Sequence, residues 1–481
     1  MAQSKFLIIG SGPSAFAAAK MLASKNQIFD VFDAGLTQSS RNTENAKNAV
    51  GAVRKLIFGL DFPFAEFPAG GKSDFGRTMA AQSFARGGFT NVWGATMLPY
   101  TNSDLEEWPI SYRQLSPYYD FISENVPIAS EADELEKKYP LSKSFSHPLD
   151  GTSRFKNLLL NHKSVEGIHF FGQSRLAVTN ASKGPSCIYC SRCIEGCDFG
   201  LIWSSSNYWS SLPANCSYFP ERRVSKIMKV EDKFQIEYIN LKGTKELSQQ
   251  YTKVFLGAGP LETFRILHKS KLVQSQTTIQ DSQIIFAPIY IGGKKKIEVE
   301  HALAQAFLRI EDPSLHPINV QLYDYTDDVL RRARKISPLI KLIPRKFLKY
   351  VLQRFIFSLI YLDSRDSDQI LLSIVGEDSI SLKRMPLGES KIPLARKIFK
   401  KWCKLNSLKF FPTLSKVGRV GEGVHYGSSL KINVSVDTDC ELYSLKGLHI
   451  IDSSTFPAIP SGPITYTVMA NAARIADVAT K

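Results

Sequence analysis

Residues Phe6–Ile9 form an unbroken apolar run ahead of a glycine turn, and 16–23 are rich in helix formers. That pattern predicts a buried strand, a tight turn and a helix. Phe29–Phe32 reads as a second buried strand, ending at Asp33. The same order returns at 253–267, "KVFLGAGPLETFRIL", as strand, glycine turn and helix, and at 445–479 as strand, turn and closing helix. Between these lie segments of another kind. "FQIEYI" and "HALAQAFLRI" alternate in a way that suits strands of an antiparallel sheet. Further on, Phe347, Leu348, Val351, Leu352, Phe355, Ile356 and Leu359 recur at helical spacing, with Arg345, Lys346, Lys349 and Arg354 off the stripe. This predicts one basic amphipathic helix, with Pro338 and Pro344 punctuating the approach to it.

The first turn carries the clearest chemistry. Gly10-Ser11-Gly12-Pro13-Ser14-Ala15 fits G-x-G-x-x-G/A between a strand and a helix, with Asp33 about twenty residues on. Gly10 permits the turn, Gly12 lets the backbone approach a pyrophosphate, and Ala15 allows close helix packing. The helix start, Pro13 and Ser14, faces the phosphate charge. Asp33 is placed to accept hydrogen bonds from ribose hydroxyls. The spacing predicts a dinucleotide site and does not separate NAD from FAD.

At 481 residues, with 43% hydrophobic and 22% charged residues, the chain has the composition of a folded globular protein of more than one domain. No apolar run reaches the roughly 18 residues needed to cross a bilayer. The start of the chain enters a strand directly and lacks signal-peptide features, so a cytoplasmic location is expected. Four of the seven cysteines, Cys187, Cys190, Cys193 and Cys197, are spaced C-x2-C-x2-C-x3-C in the loop 185–200. This is the pattern of an iron–sulfur site, [4Fe–4S] or [3Fe–4S]. A zinc site and structural or partly disulfide-bonded thiols are the alternatives, and Asp198 stands where a proline commonly follows the last cysteine. The net charge of +15 has a local source: 329–354 holds nine Lys or Arg and no acid. No nucleic-acid-binding module accompanies it. Contact with an anionic membrane surface through 329–362 is the expectation, the alternative being a core helix with a solvated basic face.

Four ordered segments, the N-terminal turn, "FARGGFTNVWGATMLPY" (84–100), 253–267 and 445–479, together resemble the glucose–methanol–choline (GMC) family of FAD-dependent oxidoreductases. The resemblance implies an α/β fold: a Rossmann-like FAD-binding domain with a discontinuous α+β substrate domain on an antiparallel sheet. It places FAD binding mainly in 1–206, 207–270 and 421–481, and the substrate domain mainly in 271–420 with a basic insertion at 327–364. It implies that Gly87, Gly88, Asn91 and Trp93 run past the pyrophosphate and flavin, with Ala258 and Gly259 in the second turn and Asp452, Ser453 and Pro463 closing over the flavin. It implies that His425 is the base that takes the proton of an alcohol, since that work needs a near-neutral pKa within hydrogen-bond reach. The family's second polar catalytic residue falls at Gly462 here, so the expectation is that the base works alone or that a partner such as Tyr426, Ser461 or Thr465 orients the alcohol. The expected substrate is a sugar or lipid-linked alcohol. A cluster would pass electrons to an acceptor protein or quinone and favour a dehydrogenase; without one, the reading is an oxidase, or a non-catalytic flavin-binding protein. The enzyme is expected at the inner face of the membrane or free in the cytoplasm.

Overall fold

The strands Phe6–Ile9 and Phe29–Phe32 are buried at every position because both lie inside a five-stranded sheet. Their unbroken apolar sequence is what a sheet covered on both faces demands. The computed structural model describes residues 5–37, 62–64, 66–69, 73–141, 143–193, 197–293, 296, 298, 300–327, 329–330 and 342–481. The sheet order is Leu448–Ile450, Lys253–Leu256, Phe6–Ile9, Phe29–Phe32, Cys216–Phe219, and every pairing is parallel. The helix Pro13–Ser24 packs against the closing helix Thr465–Val478. Both faces are alanine-rich: Ala15, Ala17, Ala18 and Ala19 on one side, and Ala470, Ala472, Ala473 and Ala476 on the other, are fully buried. Small side chains let the two helices approach closely and so join the beginning of the chain to its end.

Two antiparallel assemblies stand beside this sheet. One runs Lys409–Phe410, Ile284–Tyr290, Phe355–Tyr361, Ile318–Tyr323, Ala306–Ile310, His169–Gln173, with Lys416–Val417 also paired to Ile284–Tyr290. The other contains Tyr426–Gly427, Gln276–Asp281, Gln369–Val375, Ser379–Met385 and Ser73–Asp74. The larger sheet is two-faced by the period-2 rule. Ile285, Ala287, Ile289, Val320, Leu322, Ile356 and Ile360 pack under the helix Ile392–Leu405, around Phe399 and Trp402. The alternate positions point the other way, into the cavity described below.

Three expectations change. The helical stripe stops early: Arg345–Leu352 is helix, but Phe355–Tyr361 is a central strand. "FIFSLIY" is apolar at almost every position, so it satisfies helical spacing while its β-branched and aromatic content and its sheet neighbours make it a strand. "FQIEYI" does not join the large sheet; it lies in Lys233–Asn240, within a three-stranded meander that adds Val224, Ile227, Phe234 and Ile236 to the core of the parallel sheet. His169–Gln173, from the segment expected to bind cofactor, pairs with Ala306–Ile310 instead. Residues 194–196 of the cysteine loop and 331–341 of the basic insertion lie outside the described residues.

Trp402 is fully buried between Phe171 and Phe399. Trp402→Ala is expected to destabilise by about 3–5 kcal/mol, read as a lower denaturation midpoint with activity retained below the transition.

Candidate functional site

A cavity of about 830 Å³ lies where the parallel sheet meets the two antiparallel ones. Its first wall is built from glycine turns. Gly10 has φ +108, and a Cβ there would sit 2.4 Å from the Gly257 carbonyl oxygen, so only glycine lets the two strand ends approach. Gly12 is the opposite case, with nothing within 4 Å of a Cβ position: its backbone is bare toward the cavity. The helix it caps has no side-chain cap, and Pro13 and Ser14 line the cavity, so the helix's positive end is open to an anion. Asp33 also lines the cavity. Its Oδ2 accepts from the Tyr218 hydroxyl at 3.0 Å, and burial, opposed by Ser11 and Tyr218, pushes its carboxyl up to about 6.

The second turn is docked onto the first. Gly87 (φ +84) donates to Ser11 Oγ at 2.9 Å, and a Cβ on Gly88 would lie 3.6 Å from Gly12 Cα. Gly88 and Trp93 line the cavity, and the Trp93 indole is anchored on the Trp203 carbonyl at 2.9 Å. Asn91 serves differently from the expectation: it is no lining residue, and its amide donates to the carbonyls of Arg86 and Gly88 to hold the loop. Ala15 is buried in helix packing and Gly87 packs against Ser206, both behind the wall.

Asp452 ties the remaining walls together. Its Oδ2 accepts from the Gly259 amide (2.9 Å) and the Thr263 hydroxyl (2.5 Å), and its Oδ1 from the Ser454 amide (2.9 Å). Burial raises its pKa, with these hydrogen bonds opposing. Ala258, Gly259, Asp452, Ser453, Pro463 and Thr465 all line the cavity.

His425 lines the same cavity, fixed from both sides along the chain. Val424 is held at φ +59, a strained value for a β-branched residue. Beyond it, Tyr426–Gly427 is locked to the Ser453 turn: Ser428 N–H donates to the Ser453 carbonyl, and Ser453 Oγ donates to the Tyr426 carbonyl, both at 2.9 Å. The imidazole stacks on Tyr361, centroids 5.0 Å apart and planes at 20°. Its Nδ1 is buried and has no hydrogen-bond partner among the described residues. Burial lowers its pKa to about 4, so the ring is neutral at pH 7.

The hydroxyls expected to orient a substrate are committed elsewhere. Tyr426 donates to the Ala81 carbonyl. Ser461 donates to the Pro317 carbonyl (2.6 Å), accepts from Asn319 Nδ2 (2.9 Å) and is no lining residue. Thr465, at the start of the closing helix, does reach the cavity. What sequence reading missed is the floor: Phe286, Gln321, Tyr323, Phe357, Leu359 and Tyr361, all on one face of the large sheet. The period-2 pattern of the strands was the available signal, but only their order in the sheet brings them together.

The four cysteines are free thiols; Cys190 is exposed and the others are half-buried. Cys187 Sγ accepts from the Tyr189 amide and Cys193 Sγ from the Ala302 amide, each at 3.4 Å. Burial, with the other three thiols adding, pushes Cys193 up to about 11. Among the described residues no group of three or more His, Cys, Asp or Glu is gathered closely enough to hold a metal ion.

The parallel sheet with its two glycine turns meets an antiparallel sheet across a cavity that holds a buried histidine. Residues 423–472, which contain His425 and the Asp452 turn, match the family model described as GMC oxidoreductase. No curated protein matches the chain by sequence. Among solved structures, pyridoxine 4-oxidase from Mesorbium loti is 14% identical, with a TM-score of 0.67 over 98% of both chains. Formate oxidase from Aspergillus oryzae RIB40, in a structure concerned with FAD modification, is 12% identical, with a TM-score of 0.66 over 99% of this chain and 98% of that one. A further formate oxidase structure is 13% identical at a TM-score of 0.66, with the same coverage. The match by sequence is thus to GMC oxidoreductases over the C-terminal segment, and the fold of the whole chain is shared with these solved structures.

A Cβ on Gly427 would lie 2.2 Å from the Ser453 carbonyl oxygen. Gly427→Ala is expected to cost about 1–3 kcal/mol by overpacking, whereas Gly12→Ala, with open space at its Cβ, stays within about 0.5 kcal/mol. Paired denaturation curves check the contrast.

Proposed function

We propose that this protein oxidises the CH–OH group of an alcohol to a carbonyl, with FAD as its cofactor and His425 as the base. The observation that carries the reading is the buried, unpartnered Nδ1 of His425 in the cavity that the glycine turns also line. Those turns suit a dinucleotide: bare backbone at Gly12, an uncapped helix start for the pyrophosphate, and Asp33 for a ribose. FAD, when bound, supplies the acceptor for the hydride that leaves the alcohol carbon.

His425 receives the hydroxyl proton. A ring of low basicity suffices, because the hydroxyl becomes strongly acidic as its carbon loses hydride. Stacking on Tyr361 fixes the plane of the ring, and the clamp on Ser453 fixes its depth. Thr465, which lines the same cavity, is the hydroxyl proposed to steady the substrate oxygen. The apolar floor around Phe286 and Leu359 excludes water from the reacting bond.

The solved structures of similar fold are named as oxidases, which supports dioxygen as the acceptor. A second reading, electron exit through the cysteine loop, is favoured by one contact: the Ala302 amide reaches Cys193 Sγ, and Ala302 lines the cavity. Iron and acid-labile sulfide in anaerobically purified protein would establish the second reading. Iron-free protein forming one peroxide per carbonyl would establish the first.

The test is anaerobic bleaching of bound flavin by a panel of aromatic, terpenoid and sugar alcohols. The native protein is expected to bleach with at least one of them. His425→Ala should retain FAD but bleach about 10²–10⁴-fold more slowly. Failure of the native chain to retain FAD, or equal rates in both proteins, would end the proposal. The pH profile follows from the neutral ring: the bleaching rate should be flat above about pH 6 and fall as pH drops through about 4, where His425 protonates.

A further inference from the structure

The helix Arg345–Leu352 shows the solvent the wrong face for a purely structural element. Leu348 points inward and is buried with Tyr325 and Leu330, and Val329, Leu352 and Phe357 pack around them. On the other side Phe347 is 60% exposed and Tyr350 52%, and Leu342, just ahead of the helix, is 81% exposed. Arg345 and Lys346 are exposed beside them, and Arg354 lies over the Tyr350 ring at 3.8 Å. Asp327 pairs with Lys349 of this helix at 2.9 Å. Large apolar side chains held in water within a ring of cations match an anionic bilayer, whose surface charge attracts the cations and whose interface takes up the rings.

The position of this face gives it a role. Val329 and Phe357 pack beneath the helix and also line the cavity, so one layer of side chains separates the two. From Tyr361, stacked on His425, the cavity-facing positions of the strand run through Leu359 to Phe357, with Phe286 beside Leu359 in register. Two residues of strand span about 6.6 Å, so this apolar track is roughly 13 Å long and leads from the histidine to the helix.

We propose that the face around Phe347 and Tyr350 docks on an anionic membrane surface, and that the alcohol oxidised at His425 is an amphiphile drawn from that membrane, its hydroxyl at the imidazole and its hydrocarbon along Leu359 and Phe357. The substrate half of this inference rests on the alcohol-oxidising reading; the docking half does not.

The experiment uses the full-length holoprotein with vesicles of equal parts phosphatidylglycerol and phosphatidylcholine, beside pure phosphatidylcholine vesicles. Cosedimentation with the anionic vesicles and release by added salt are expected. Lys346→Gln should weaken binding about fivefold, and Phe347→Ser with Tyr350→Ser should weaken it further. Neither set of changes should alter flavin bleaching by a water-soluble alcohol such as benzyl alcohol. Dodecanol carried in the anionic vesicles should bleach the flavin of the native protein faster than that of the Phe347/Tyr350 variant. No preference for anionic vesicles, or unchanged binding by that variant, overturns docking and leaves an acidic protein as the occupant of this face. Docking without faster bleaching by vesicle-borne dodecanol overturns the substrate half. Vesicle binding by a protein whose flavin no alcohol bleaches overturns the oxidation reading and upholds docking.

Discussion

The Ser453 carbonyl, received into the space that Gly427 leaves empty, is the contact on which the site depends. It accepts the Ser428 amide while the Ser453 hydroxyl binds the Tyr426 carbonyl, so strand and turn are stitched from both directions. Next to it, the buried Asp452 carboxylate gathers donors from Gly259, Thr263 and Ser454. A buried carboxylate is costly unless its lone pairs are filled, and here three donors fill them. The result is rigid: the parallel sheet, the helix after Gly259 and the strand after His425 share one joint.

From that joint the division of labour follows. Glycine turns make one wall, which presents backbone rather than side chains to the cavity. The opposing wall is a sheet face, where every second residue is free to vary without disturbing the core under Trp402. His425 sits where the two meet. Its ring is held there by stacking and backbone clamps, with no hydrogen-bond partner for Nδ1 among the described residues, and on the proposed reading it is preorganised for a proton from substrate.

The parts legible in the sequence were those written locally. Gly10 to Ala15, Asp33 and the 445–479 segment each carry their geometry within a few residues, and they form the strands, turns and helices that the spacing predicts. The floor was not legible, since Gln321, Tyr323 and Tyr361 become neighbours only through sheet register. Phe355–Tyr361 was misread because a run apolar at nearly every position fits both periods. Tyr426 and Ser461 looked available, but hydroxyls this deep are taken by the nearest carbonyls. The cysteine spacing predicts converging ligands; Cys187 and Cys193 each accept one backbone N–H, and burial, with the neighbouring thiols adding, raises the pKa of both.

The pairing of Phe6–Ile9 with Lys253–Leu256, and of that strand with Leu448–Ile450, also bears on how the chain comes to be folded. A ribosome adding about 5–20 residues per second takes roughly tens of seconds to pass from the first of these strands to the last. Through that interval the alanine face of Pro13–Ser24 is uncovered, and from its own synthesis onward one edge of Lys253–Leu256 is unpaired. Contacts so distant in sequence form slowly, and an open parallel edge invites the wrong neighbour. A nascent chain of this design has reason to be met by a chaperone before its last helix closes.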